Sequence, residues 1–283
     1  MATFKNQATL TYNGITTSSN VVTGEIVGVL SAAKNTLEES YCAGGSLTYI
    51  ISLINSGDSA LTDVTVTDDL GEYASGGASY VPLTYTDGSA VSFVDGMLKP
   101  VTGAVTADGL VFSGVTVPAN GNTLIIYEAE ANEYAPLAAG SSITNTASAE
   151  SASGASPVSA SATAPVRSEP ELSISKALTP LSVNENGTLT YTFTIENTGS
   201  EAADAAAKLV VSDEFDPVLT DLTVTLNGVP LVSGTGYTYD GETGVFATET
   251  GIVTVPAAQI TQGADGVWTV TPGCTVLTVS GSV

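Results

Sequence analysis

The chain has 283 residues, 43% of them apolar and only 12% charged, enough apolar material for the cores of two ordinary domains rather than for disorder. Its 29 acidic residues against 6 basic ones give a net charge of -23, which excludes nucleic-acid binding through clustered Lys and Arg and disfavours docking on anionic lipid. Histidine is absent, which removes His-based triads, His metal sites and a base titrating near neutral pH.

Thr, Ser, Val, Ala and Gly dominate in short alternating runs, broken by Asn-Gly, Asp-Gly and Gly-Gly pairs. This pattern predicts an all-β sandwich protein with tight turns and almost no helix. No run approaches the roughly 20 apolar residues of a membrane helix, so no membrane insertion is expected. The start, MATFKNQATLTYNG, has no apolar core of a signal peptide, so either a leader is removed or the protein leaves the cell another way, such as lysis.

In chain order, residues 1–23 form an N-terminal arm, 24–164 a first repeat unit and 165–283 a second. The stretch 151–170, SASGASPVSASATAPVRSEP, is the candidate linker, part of it still alternating as a strand. The repeat is carried by four ordered matches. LSAAK at 30–34 matches LSISK at 172–176, and SLTYIISLINSG at 46–57 matches TLTYTFTIENTG at 188–199. VTVTDDL at 64–70 matches LVVSDEF at 209–215, and VPANGNTLIIYEAEA at 117–131 matches VTPGCTVLTVSGSV at 270–283.

These residues resemble the "domain of unknown function 11" repeat of bacterial surface proteins. Its landmarks are an early Lys, a Gly-x-x-x-x-Tyr strand, an Asn-x-Gly turn, a Val-x-Val-x-Asp strand and a late Asn-x-Ala strand. The resemblance implies two tandem immunoglobulin-like β-sandwich domains on a cell or spore surface, often reinforced by Lys–Asn isopeptide bonds. Two repeats in about 28 kDa without a leader also look like spore-appendage proteins.

The order of landmarks is shifted. Unit one closes with ITNTASAE at 143–150, whereas the second unit ends at Val283, which aligns with Ala131. Asn6-Gln7-Ala8-Thr9 aligns with Asn145-Thr146-Ala147-Ser148. The arm is therefore expected to donate the missing strand of the second unit. By alternation Phe4, Asn6, Ala8, Leu10 and Tyr12 share its inward face. Consecutive sandwiches lie end to end, which puts the arm about a domain length from its own second unit. Insertion into a neighbouring copy closes the geometry, and repetition of that contact gives a head-to-tail homopolymer.

The same alternation puts Lys34, Asp68 and Asn145 on apolar faces of unit one. It puts Lys176 and Asp213, joined by Asn6 of a neighbour, on those of unit two. Isolated polar groups in a sandwich core are costly. A buried Lys loses its proton readily, its neutral amine is a nucleophile, and a protonated Asp can polarise the Asn carbonyl. Asp68 and Asp213 are thus expected to promote Lys34–Asn145 and Lys176–Asn6 crosslinks. A buried Lys–Asp ion pair with Asn as hydrogen-bond partner satisfies the same residues without reaction.

Cys42 and Cys274, in turn-like segments of different units, are either small partly buried hydrophobes or the two halves of an interchain disulfide. The scattered acids read as a solvated surface, with weak loop Ca²⁺ binding as the alternative and no EF-hand spacing. No cofactor or metal site and no enzyme activity beyond self-crosslinking is expected. The leading expectation is an extracellular filament subunit whose partner is itself, with room for an anchoring protein on the spore or cell surface. The rival is a monomeric stalk or adhesin module of a larger surface protein.

Overall fold

The computed structural model of the protein describes residues 2–26, 28–152 and 155–283. They form two compact units, one from the chain up to Asn132 with Ile143–Ala164, the other from Glu133–Ser142 with Pro165–Val283. Both are immunoglobulin-like β-sandwiches, and among the described residues the only helix is a short 3-10 turn at Ala205–Ala207. The arm holds β1 (Ala2–Asn6), β2 (Thr9–Tyr12), β3 (Ile15–Ser18) and β4 (Val22–Ile26). The body of the first unit holds β5 (Leu30–Thr36), β6 (Ser46–Asn55), β7 (Leu61–Asp68), β8 (Tyr73–Ser75), β9 (Ala78–Tyr80), β10 (Leu83–Tyr85), β11 (Val91–Val94), β12 (Met97–Lys99), β13 (Gly103–Thr106), β14 (Gly109–Val117), β15 (Gly121–Ala131), β16 (Ser142–Ser151) and β17 (Val158–Pro165). The second unit holds β18 (Leu172–Thr179), β19 (Thr188–Asn197), β20 (Ser212–Glu214), β21 (Thr220–Leu226), β22 (Val229–Pro230), β23 (Tyr237–Tyr239), β24 (Val245–Thr248), β25 (Gln259–Gln262), β26 (Trp268–Thr271) and β27 (Gly273–Ser282).

In the first unit one sheet runs β12-β11-β15-β6-β5 and the other β13-β14-β7-β16-β17. Period-two alternation sends Leu47, Tyr49, Ile51 and Leu53 of β6 inward to meet Val64, Val66 and Phe112 from the facing sheet, all buried. The Ser/Ala-rich linker is partly structural. Its residues 158–165 form β17, the outer strand of the second sheet, and Ala162 and Ala164 are buried.

The second unit repeats this plan with one sheet β18-β19-β27-β21-β22 and a smaller one β20-β24-β23. The registers superimpose. Lys34 lies opposite Ile51 and Lys176 opposite Phe193, while Gly121 lies opposite Asn55 and Gly273 opposite Asn197. The core gathers Tyr191, Phe193, Phe215, Phe246, Leu277 and Val279. The facing sheet is where the units differ. β7 is paired on both sides, by β14 and β16, whereas β20 is paired by β24 alone among the described residues. The expected strand over Leu209, Val211 and Asp213 is correspondingly short, spanning only 212–214, with Val211 buried and Leu209 packed against the core. A strand held from one side has half the ladder to hold it extended.

The arm is the largest departure from expectation. Instead of one strand it is a folded-back ribbon: β1 pairs antiparallel with β4 over five residue pairs, and β2 with β3 over four. Asn13 and Gly14 turn the chain at φ 47° and 77°, the positive-φ pair of a tight hairpin. Gln7 and Ala8 oppose three residues, 19–21, across a bulge held by Ser19 N–H to the Ala8 carbonyl at 2.8 Å.

One close approach fixes the ladder beside Asp68. Gly109 has φ +111°, and a Cβ there would lie 2.1 Å from the Asp68 carbonyl oxygen. Gly109→Ala is expected to destabilise the first unit by about 1–3 kcal/mol, seen as a lowered urea midpoint with the transition of the second unit unchanged.

Candidate functional site

Four strands of the first unit converge on one buried polar cluster. Lys34, on the inward face of β5 beside Leu30, is 5% exposed, and Asp68 and Asn145 are fully buried. Lys34 Nζ donates to Asp68 Oδ2 at 2.6 Å. The Tyr127 hydroxyl donates to the same oxygen at 2.7 Å and accepts from Asn145 Nδ2 at 2.9 Å. Asp68 Oδ1 accepts from the Leu70 amide at 3.1 Å. The ammonium also sits 4.9 Å from the Tyr49 ring centroid. Desolvation holds Lys34 below its ordinary pKa although Asp68 opposes it, and burial raises both tyrosines. Asn145 Oδ1 and the Tyr49 hydroxyl are buried without a hydrogen-bond partner, a costly state for polar atoms. A weakly basic amine, a carboxyl and an amide with an unsatisfied carbonyl therefore share one dry pocket.

Sequence reasoning named the Lys, Asp and Asn of this cluster and missed its tyrosines, Tyr127 that bridges Asp68 and Asn145 and Tyr49 whose ring lies by the ammonium. The signal was present. Tyr49 and Tyr127 occupy inward positions of strands whose other inward residues are Leu47, Ile51, Ile125 and Ala129. A phenol at such a place needs a polar partner.

The second unit holds half of this cluster. Lys176 donates to Asp213 Oδ2 and lies 4.6 Å from the Tyr191 ring centroid. Val279 faces Tyr191 where Tyr127 faces Tyr49, so the bridging hydroxyl is absent. The expected burial of Lys176 does not hold within one chain: its side chain is 41% exposed and that of Asp213 19%. In the first unit Ser161, Ala162 and Thr163 of β17 line a pocket together with Lys34. No described strand takes the places of β16 and β17 beside β20. Leu30 is 5% exposed, whereas Leu172 in its place is 40% exposed and Ile174 57%.

Apolar residues are also exposed on the arm. Phe4, Asn6, Ala8, Leu10 and Tyr12 are all exposed, with Leu10 at 67% and Tyr12 at 74%. The Phe4 ring lies across Gly24, where a Cβ would come within 2.4 Å of it. Cys42 is half-buried, Cys274 is exposed, and both are free thiols. Among the described residues no group of three or more His, Cys, Asp or Glu is placed to hold a metal ion, and no helix is long and apolar enough to cross a membrane.

No protein-family model matches the sequence, and no curated protein matches it. Solved structures that match include the major pilin subunit of Bacillus cereus, 13% identical over 96% of this chain and 73% of that one, TM-score 0.35. The pilus backbone protein of Streptococcus pneumoniae is 12% identical over 86% of this chain and 55% of that one, TM-score 0.35. A family 123 glycoside hydrolase from Clostridium perfringens is 9% identical over 49% of this chain, which spans only 27% of it, TM-score 0.31. Similarity at this level assigns no activity.

The bridging phenol gives a direct test of the buried cluster. Tyr127→Phe leaves Asn145 Nδ2 without its acceptor, so the first unit should lose about 1–3 kcal/mol in chemical unfolding. Val279→Thr, at the matching place in the second unit, should leave the first transition unmoved.

Proposed function

We propose that the protein is a structural subunit of an extracellular filament on a cell or spore surface. Copies join head to tail when the N-terminal arm of one completes the second unit of the next. One observation carries this reading. An uncovered sheet edge with an exposed apolar inner face, and an exposed apolar ribbon with no core of its own, occur on the same chain. An open edge invites pairing, and a lone two-stranded ribbon is marginally stable in water, so each defect offsets the other.

Docking brings Asn6 to the place that Asn145 holds in the first unit. It strips water from Lys176, whose neutral amine then attacks the Asn6 carboxamide carbon. A C–N bond forms, the Asn6 side-chain nitrogen leaves as ammonia, and Asp213 shuttles the proton. Lys34 and Asn145 react the same way inside the first unit, with Asp68 in the role of Asp213. The order matters, because Lys176 has no dry environment until the arm arrives.

Deleting residues 2–23 should abolish fibres in negative-stain microscopy while the first unit still unfolds cooperatively. Burial of Phe4, Leu10 and Tyr12 contributes on the order of 5 kcal/mol to the junction. Fibres that persist after the deletion remove the donor mechanism and leave a stalk or adhesin module as the better account.

Lys176→Ala, Asn6→Ala and Asp213→Ala should each still assemble, but into fibres that fall to single subunits in hot SDS with reductant, where wild type stays in the well. Intact mass of the soluble wild-type chain should show one lost ammonia, restored by Asp68→Ala. Wild-type fibres that dissolve on adding reductant alone would instead assign the junction to Cys42 and Cys274.

A further inference from the structure

The gap beside β20 is two strands wide, not one. In the first unit β7 is followed by both β16 and β17, and it is β17 whose residues line the pocket of Lys34. A single donated strand would restore β16 and leave the place of β17 in that sheet empty. The arm is also two strands wide and already paired.

The two hairpins match at the two pairs that precede the bulge of the arm. In the first unit Thr144 Oγ1 meets Thr163 Oγ1 at 3.0 Å and Thr146 Oγ1 meets Ser161 Oγ at 3.0 Å. That antiparallel register sets Ile143 opposite Ala164 and Asn145 opposite Ala162, all four buried. In the arm Phe4 lies opposite Gly24 and Asn6 opposite Val22. Each hairpin thus sets a large apolar residue against a small one, followed by an asparagine against an aliphatic residue. The difference is exposure: Ala162 is 7% exposed and Val22 54%.

We propose that the donor is the intact β1–β4 hairpin of a second copy, inserted as a preformed two-stranded unit. This rests on the donor reading above and adds its width and register. The β1–β2 edge pairs with β20 so that Ala8 faces Asp213 and Thr9 faces Ser212, as Ala147 faces Asp68 and Ser148 faces Thr67. The β3–β4 strand becomes the outer strand of the completed sheet, and Val22 takes beside Lys176 the place that Ala162 holds in the pocket it shares with Lys34.

The test uses the full chain and reads assembly by sedimentation and negative-stain microscopy. Val22→Asp places a charge where the hairpin geometry buries an aliphatic group. It should raise the concentration needed for assembly by about tenfold or more, since burying an unpaired charge is costly. Thr23→Asp, on the opposite face of the same strand, should assemble as wild type. If Val22→Asp assembles normally while the 2–23 deletion does not, the donor is a single strand and the hairpin is overturned. If the deletion itself assembles, the donor reading fails instead.

Register is read separately. In a chain with Cys42→Ser and Cys274→Ser, the pair Thr9→Cys with Ser212→Cys should give a ladder of disulfide-linked subunits on non-reducing SDS gels after mild oxidation. Fibres that form without that ladder overturn the register.

Discussion

A sandwich is closed only when every strand edge in it is paired and every inward face is covered. In the first unit the inward faces around Lys34 are covered, although each sheet still ends in edge strands, and in the second they are left open. In the first unit β16 and β17 finish the sheet, and the polar cluster around Lys34 is dry. In the second unit the same fold carries the same lysine and aspartate, yet Leu172, Ile174 and Lys176 face solvent. The contrast between Leu30 and Leu172 isolates the effect of the missing strands, because their places in the ladder are equivalent.

In the proposed assembly the arm also bears on how an undocked chain is tolerated. Its ribbon satisfies its own backbone through the β1–β4 and β2–β3 ladders, so an undocked chain does not present a long unpaired strand to every neighbour. What stays exposed is its apolar face, which is specific in shape where a bare edge is promiscuous. A donor that arrives folded also pays less conformational entropy on docking than an extended peptide.

Much of this was legible in the residues, for identifiable reasons. Lys34 precedes Tyr49 by the same interval at which Lys176 precedes Tyr191, with Gly45 and Gly187 at matching places, so the equivalence of Lys34 and Lys176 needed no coordinates. The inward placement of Lys34, Asp68 and Asn145 followed from period-two alternation alone. Three things escaped. The bridging Tyr127 went unread among the apolar inward residues of β15, whereas β17 was expected in part from the alternation within the linker. The second strand of the arm, 15–26, is rich in Thr and Ser, so only its Asn-Gly turn stood out. The exposure of Lys176 could not be read at all, since burial depends on what lies opposite, and alternation reports only the side on which a residue falls.

The substitution of Val279 for Tyr127 makes the two lysine sites unequal in kind. The first is built wholly within one chain, its carboxylate held by a phenol, so it is ready as soon as the unit folds. The second has no phenol, and in the proposed junction a neighbour's asparagine completes it. A polymer assembled this way is polar: one terminus carries an unfilled groove and the other an undocked ribbon. Its two tips cannot bind the same things. Growth, capping and attachment to a surface can therefore be controlled independently at the two ends of one fibre.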